Sequence, residues 1–187
     1  APRREVFRLP GDATTLGFAI CEDTWTEVME YDLDPVAELQ WGGARIVLSP
    51  SASPWHVGKA AERRAMLSRL ARRCGLAIVF VNQVGGNDEL VFDGGSFVVD
   101  ANGDVQAQLP LFEPGFAIVD LPASEPGAAL ADVADPSDVE QLEAGLVLGI
   151  RDYFEKQNLP PGAVIGLSGG IDSAVTAHLA ALAIGPS

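Results

Sequence analysis

The chain has 187 residues, 48% of them hydrophobic and 20% charged, with only two cysteines. That balance supports a buried core and excludes both a wholly disordered chain and a disulfide-stapled scaffold. Its 12 lysines and arginines face 26 aspartates and glutamates, a net charge of −14, so nonspecific nucleic-acid binding is disfavoured while a single nucleotide in a local pocket is not. No apolar run reaches the roughly 18 residues a membrane-spanning helix needs. No charged, apolar leader opens the chain at Ala1. The expectation is a soluble, cytoplasmic protein with no nucleic-acid or membrane partner.

Residues 1–121 alternate strands with helices. Leu16 to Ile20 is a short apolar run that stops at Cys21-Glu22-Asp23, and Pro35 suits the first turn of a helix ending at Gly42-Gly43. Arg45 to Ser49 is a second strand, stopping in the polar stretch Pro50 to Pro54. From Lys59 to Cys74, Leu67, Leu70, Ala71 and Cys74 follow helical spacing, and the arginines at 63, 64, 69, 72 and 73 read as the solvated side. Leu76 to Val81 is nearly continuous in apolar, largely β-branched side chains, as a strand buried on both faces should be. Asp88, Glu89 and Asp93 lie in a glycine-rich loop, with no role assigned. A hairpin follows, Gly94 to Val99 and Val105 to Leu109, turning at Asn102-Gly103.

Residues 122–137 hold Pro122, Pro126 and Pro136, and from Asp120 to Glu143 there are seven acids and no base. This reads as a solvated linker between domains. In the second domain, 138–187, Val139 to Phe154 is helical, Ala163 to Leu167 is a strand, Ser168 to Ser173 is a loop, and Ala174 to Ile184 is a helix. One strand and one helix cannot bury their own apolar faces, so this unit is incomplete as given, and the ends read as cut.

Cys21 follows a strand directly and precedes two acids, which have no place in a core. A thiol where the chain turns sharply can attack an acyl carbon while a neighbouring N–H holds the developing oxyanion. Cys74, on the apolar stripe of its helix, is a small hydrophobe instead. His56 reads as a surface loop residue and His178 as a helix residue. Two scattered histidines and unpaired cysteines make no zinc signature.

Ile20-Cys21-Glu22-Asp23-Thr24-Trp25, Pro50-Ser51-Ala52-Ser53-Pro54 and Gly58-Lys59-Ala60-Ala61-Glu62-Arg63-Arg64 together resemble the nitrilase superfamily. Val81 to Phe97 looks like the glutaminase domain of glutamine-dependent NAD synthetases in particular. The resemblance implies an α/β fold, the C-terminal part of an α-β-β-α sandwich. It also implies a Glu–Lys–Cys triad in which Cys21 matches the nucleophile. The family's glutamate and lysine lie upstream of the cysteine, and Glu5, Arg3 and Arg4 do not match them. Ser53 and Lys59 match positions that hold the substrate glutamine, where a cation suits a desolvated α-carboxylate.

Gly166-Leu167-Ser168-Gly169-Gly170-Ile171-Asp172-Ser173 joins a predicted strand to a helix. Glycines admit phosphate oxygens to backbone N–H groups at a helix N-terminus, Ser168 and Ser173 add hydroxyls, and Asp172 offers a carboxylate to Mg²⁺ at a pyrophosphate. No Walker lysine follows. The loop resembles the Ser-Gly-Gly-x-Asp-Ser signature of ATP pyrophosphatases, and so implies the first strand–loop–helix of a Rossmann-like ATP-binding domain. Together the two resemblances imply glutamine, ATP and deamido-NAD as substrates and a homo-oligomer in the complete protein. The alternative is a stand-alone amidase whose tail is incidental. The 187 residues alone are expected to be inactive.

Overall fold

A computed structural model describes residues 5–29, 31–121 and 135–185. Its main sheet has six strands: β1 (Phe7–Arg8), β2 (Thr15–Phe18), β3 (Ile46–Ser51), β4 (Ala77–Asn82), β7 (Phe97–Val99) and β8 (Val105–Gln108), in the order β1-β2-β3-β4-β7-β8. Strands β2, β3 and β4 are parallel, because each return passes through a helix: α1 (Pro35–Trp41), then α2 (Lys59–Cys74). The flanking β1, β7 and β8 pair antiparallel to their neighbours. Strands β5 (Val84–Asn87) and β6 (Leu90–Asp93) form a separate hairpin, turning at Asp88 with φ +52. The sequence predicts a loop over Asp88, Glu89 and Asp93, since Gly85-Gly86 and three acids lack a strand's alternation; the hairpin forms instead.

Alternation divides the sheet. Val47, Ile78, Phe80, Phe97 and Val99 face α2 and join Met66, Leu67, Leu70 and Ala71 in one core. Residues of the opposite parity, including Phe18 and Val81, form a second apolar face left 44% and 53% exposed at those positions. A sheet with helices on one face and an open apolar face on the other is the half-sandwich expected from the nitrilase resemblance.

Most of the linker expected at 122–137 lies outside the described residues; Asp135 accepts a hydrogen bond from Arg64. Ser137 caps α3 (Asp138–Lys156): its hydroxyl accepts from the Glu140 N–H while the Glu140 carboxylate accepts from the Ser137 N–H. Helix α3 lies on the β5–β6 hairpin. Asp152 accepts from the Gly86 N–H at 2.8 Å, and Lys156 donates to the Gly86 carbonyl. Helix α4 (Ile171–Ile184) packs against α3. The strand expected at 163–167 does not form: no strand is assigned there and Val164 is wholly exposed. A lone segment has no ladder partner, so its apolar residues cannot make it a strand.

Candidate functional site

Strand β2 ends at Phe18, and three residues later, at Cys21, the backbone reverses. Cys21 has φ +49, a left-handed conformation uncommon for a side chain of this kind, and opens a 3-10 turn over Cys21–Thr24. The turn is tied from both sides. Ile20 N–H donates to the Asp23 carboxylate at 2.9 Å, and the Thr24 hydroxyl donates to the Cys21 carbonyl at 3.0 Å. Cys21 is therefore half-buried at a rigid corner, as a strand-end cysteine beside two acids suggested.

The same turn carries Trp25. The Lys59 ammonium sits 3.8 Å from the centroid of its ring, so a cation–π contact joins the turn of the thiol to the first residue of α2. Lys59 also donates to Glu62 at 3.1 Å. Beside the turn, Glu22, Asp23, Tyr31, Asp32, Leu33 and Pro35 line a cavity of about 370 Å³. Tyr31 donates to Glu22, and that hydrogen bond pushes the phenol above its ordinary pKa. A larger cavity, about 440 Å³, opens at the other end of the parallel strands around Arg45 and Gly75, far along the sheet from this turn.

Ser53 is buried, and its main chain is held by one side chain. The Asn82 Oδ1 accepts from Ser53 N–H at 2.9 Å, and Asn82 Nδ2 reaches the Ser53 carbonyl at 3.4 Å and Asp93 Oδ1 at 3.2 Å. Asp93 in turn accepts from Arg63, and both are buried, at 0% and 1% exposure. This corrects the sequence reading twice. Arg63 is not on the wet face of its helix, and Asp93 ends a strand rather than lying in a loop. The missed signal was spacing: Arg63 is four residues before Leu67, on the same stripe as Leu70, Ala71 and Cys74. His56 is exposed, as expected. Cys74 is half-buried against the core, and burial pushes its thiol pKa up.

The glycine loop is exposed at the start of α4. Gly169 takes φ +83, and the two serines close on one another: Ser168 Oγ and Ser173 Oγ lie 3.1 Å apart, and the Gly170 N–H donates to Ser168 Oγ at 3.3 Å. Asp172 stands in the first turn of the helix. Among the described residues, no group of three His, Cys, Asp or Glu is arranged to hold a metal ion, and no helix is long and apolar enough to cross a membrane.

The sequence profile of the carbon-nitrogen hydrolases matches residues 2–129. The chain belongs to the carbon-nitrogen hydrolase family. A second profile, NAD synthase, matches residues 142–187. The family member is 40% identical over 177 residues to the glutamine-dependent NAD(+) synthetase of Synechocystis sp., covering 91% of this chain and 32% of that protein. It is 41% identical over 173 residues to the one from Rhodobacter capsulatus, covering 91% and 30%. It thus spans about a third of the length of these relatives. The solved glutamine-dependent NAD+ synthetase of Acinetobacter baumannii, in complex with ADP, superposes with a TM-score of 0.87 at 38% identity, covering 99% of this chain and 34% of that one. An amidase from Nesterenkonia sp. AN1, carrying acrylamide added at its active-site cysteine, superposes with a TM-score of 0.54 at 30% identity, over 66% and 44% of the two chains.

Proposed function

We propose that these residues are the junction of a glutamine-dependent NAD⁺ synthetase: a glutaminase domain at 1–121, a linker at 122–137 and the start of an ATP-dependent synthetase domain at 138–187. The observation that carries this reading is the order of the two family matches along one chain, hydrolase at 2–129 and NAD synthase at 142–187. A stand-alone amidase would account for the first match and leave the second without purpose.

In this reading the Cys21 sulfur attacks the side-chain amide carbon of glutamine. The C–N bond breaks, ammonia leaves with a proton taken from the thiol, and water then cleaves the thioester to release glutamate. Trp25 and Lys59 hold the substrate edge beside the thiol, with Lys59 facing the α-carboxylate and Ser53 hydrogen-bonding glutamine. The glutamate base and the lysine of the triad come from outside these 187 residues, so the stretch alone is inactive. At the loop from Gly166 to Ser173 (Gly166, Leu167, Ser168, Gly169, Gly170, Ile171, Asp172 and Ser173), ATP transfers AMP to the nicotinate carboxylate of deamido-NAD⁺, releasing pyrophosphate. Ammonia then displaces AMP. Adenylation is needed because a carboxylate is a poor acyl donor, and ammonia must travel sheltered, since water at neutral pH protonates it.

Asp172, the carboxylate in the first turn of α4, would hold Mg²⁺ at this loop, and the ion would offset the charge of the pyrophosphate. The complete enzyme is cytoplasmic and a homo-oligomer in this reading. The decisive experiment uses the full-length protein. Cys21→Ala abolishes NAD⁺ formation from glutamine and leaves formation from ammonium salts intact, and equal loss with both nitrogen donors refutes two separate sites.

A further inference from the structure

We propose that Arg63 and Asp93 act as a positioning pair for the glutamine edge of the site, setting the Ser53 main chain through Asn82 and the Lys59 end of α2 through Arg63 itself. The proposal rests on the reading above that Ser53 and Lys59 contact glutamine.

A buried ion pair needs a reason. Two charges taken from water gain little net stability, and a hydrophobic pair of similar volume commonly does as well. Here the desolvation is compounded, because the Nε and Nη1 of Arg63 are buried without hydrogen-bond partners among the described residues, the guanidinium having only the Phe80 ring, 5.6 Å away, beside Asp93. Packing alone would be served by a methionine. What a methionine could not do is orient the carboxylate, and the carboxylate orients everything beyond it.

An ionised Asp93 can only accept hydrogen bonds. Its Oδ1 therefore draws the NH₂ side of the Asn82 amide toward itself, at 3.2 Å, which turns the amide oxygen onto the Ser53 N–H at 2.9 Å. Strand β4 anchors Asn82 as well, its own N–H donating to the Ser96 hydroxyl at 3.0 Å. Ser53 is thus fixed by a side chain whose orientation the carboxylate decides. On the other branch, α2 starts at Gly58 (φ +84) with no side-chain cap, so the local restraints on its first turn are the Lys59 N–H on the His56 carbonyl and the Lys59–Glu62 pair among the described residues. Arg63, one turn after Lys59, supplies a tertiary one. With that turn held, Lys59 stays over the Trp25 ring beside Cys21.

The test uses the full-length protein, with glutamine and with ammonium salts as nitrogen donors. Arg63→Met combined with Asp93→Leu removes both charges at similar volume. The expected result is at least a tenfold rise in the glutamine KM, an unchanged rate with ammonia, and an unchanged rate of Cys21 alkylation by iodoacetamide, read by peptide mass spectrometry. The glutamine concentration that half-protects Cys21 should rise with KM. Asn82→Leu leaves the ion pair in place and cuts only its tie to Ser53, so it carries the same test if the double variant does not fold. A folded variant whose glutamine KM stays within twofold of wild type overturns the proposal. A parallel fall with both nitrogen donors also overturns it, because that marks the pair as mere support for the fold. Wild type that hydrolyses no glutamine overturns the underlying reading instead, and is seen before any variant is made.

Discussion

Alanine substitution at two glycines one turn apart on α3 should move stability in opposite directions. Gly145 and Gly149 are both interior to the helix, so each alanine gains about 0.8–1 kcal/mol of helix propensity. Their surroundings differ. A Cβ at Gly145 would stand 2.8 Å from Trp55 Cζ3, 3.0 Å from Cη2 and 3.2 Å from Phe112 Cε1. Carbon contacts settle at 3.5–4.0 Å, so the indole must retreat by ~0.7 Å or more. It has little room to do so: Trp55 packs edge-on against Phe112 at 5.2 Å, and its main chain is pinned by the backbone N–H donating to the Val91 carbonyl at 2.7 Å. Overpacking of this kind costs about 1–3 kcal/mol. At Gly149 the new Cβ meets only Val91 Cγ2, at 3.3 Å, a methyl on a side chain that can adjust. Gly149→Ala should therefore be neutral or stabilising by up to about 1 kcal/mol. Gly145→Ala should be less stable than Gly149→Ala by about 1–3 kcal/mol, since propensity cancels between them. Urea denaturation followed by circular dichroism and tryptophan fluorescence measures both. Equal shifts for the two variants would show that α3 does not seat on Trp55.

Three further outcomes follow from the same structure. Asp172→Ala in the full-length protein should cripple NAD⁺ formation with glutamine and with ammonia alike; retained synthesis from ammonia refutes its assignment to the ATP site. Burial raises the Cys74 thiol pKa in the folded state, so the unfolded chain ionises first. Its contribution is complete below the ordinary thiol value of about 8.5 and is lost as pH rises through the folded pKa. Cys74→Ala should flatten the alkaline fall in urea midpoint between neutral pH and pH ~11, and an unchanged slope refutes it. Glu140 is held below its ordinary value first by the Ser137 hydroxyl and then by the Ser137 N–H. That support is present above the ordinary carboxylate range near pH ~4.3 and disappears as pH falls through the lowered folded value. An acid titration of α3 helicity should lose this component in Glu140→Gln, and identical titrations of variant and wild type would exclude it.

Local pattern made much of this molecule legible. The bounds of α2 at Lys59 and Cys74 follow from apolar spacing closed by Gly75, and the β7–β8 hairpin follows from Asn102-Gly103 between two apolar runs. The sharp turn at Cys21 followed from a strand ending against two acids, which cannot continue into a core. Arg63 shows the limit. Its place on the apolar stripe was readable, but charge argued for solvent, and the partner that permits burial lies thirty positions away in Asp93. The hairpin at 84–93 was equally hidden, because its glycines are explained by the close approach of α3 rather than by any local preference.

Residue order alone determined the bounds of α2, the β7–β8 hairpin, which cysteine stands at a corner, and which two family signatures lie on the chain, because these depend on neighbours within a turn or two. Tertiary structure alone decided that Ser53, Asn82, Asp93 and Arg63 share one buried network, and that Lys59 lies over Trp25. It also decided that residues 163–167 make no strand here. A buried charge and a β-ladder both need a partner delivered by the fold, and no periodicity in the sequence specifies which distant residue will be there.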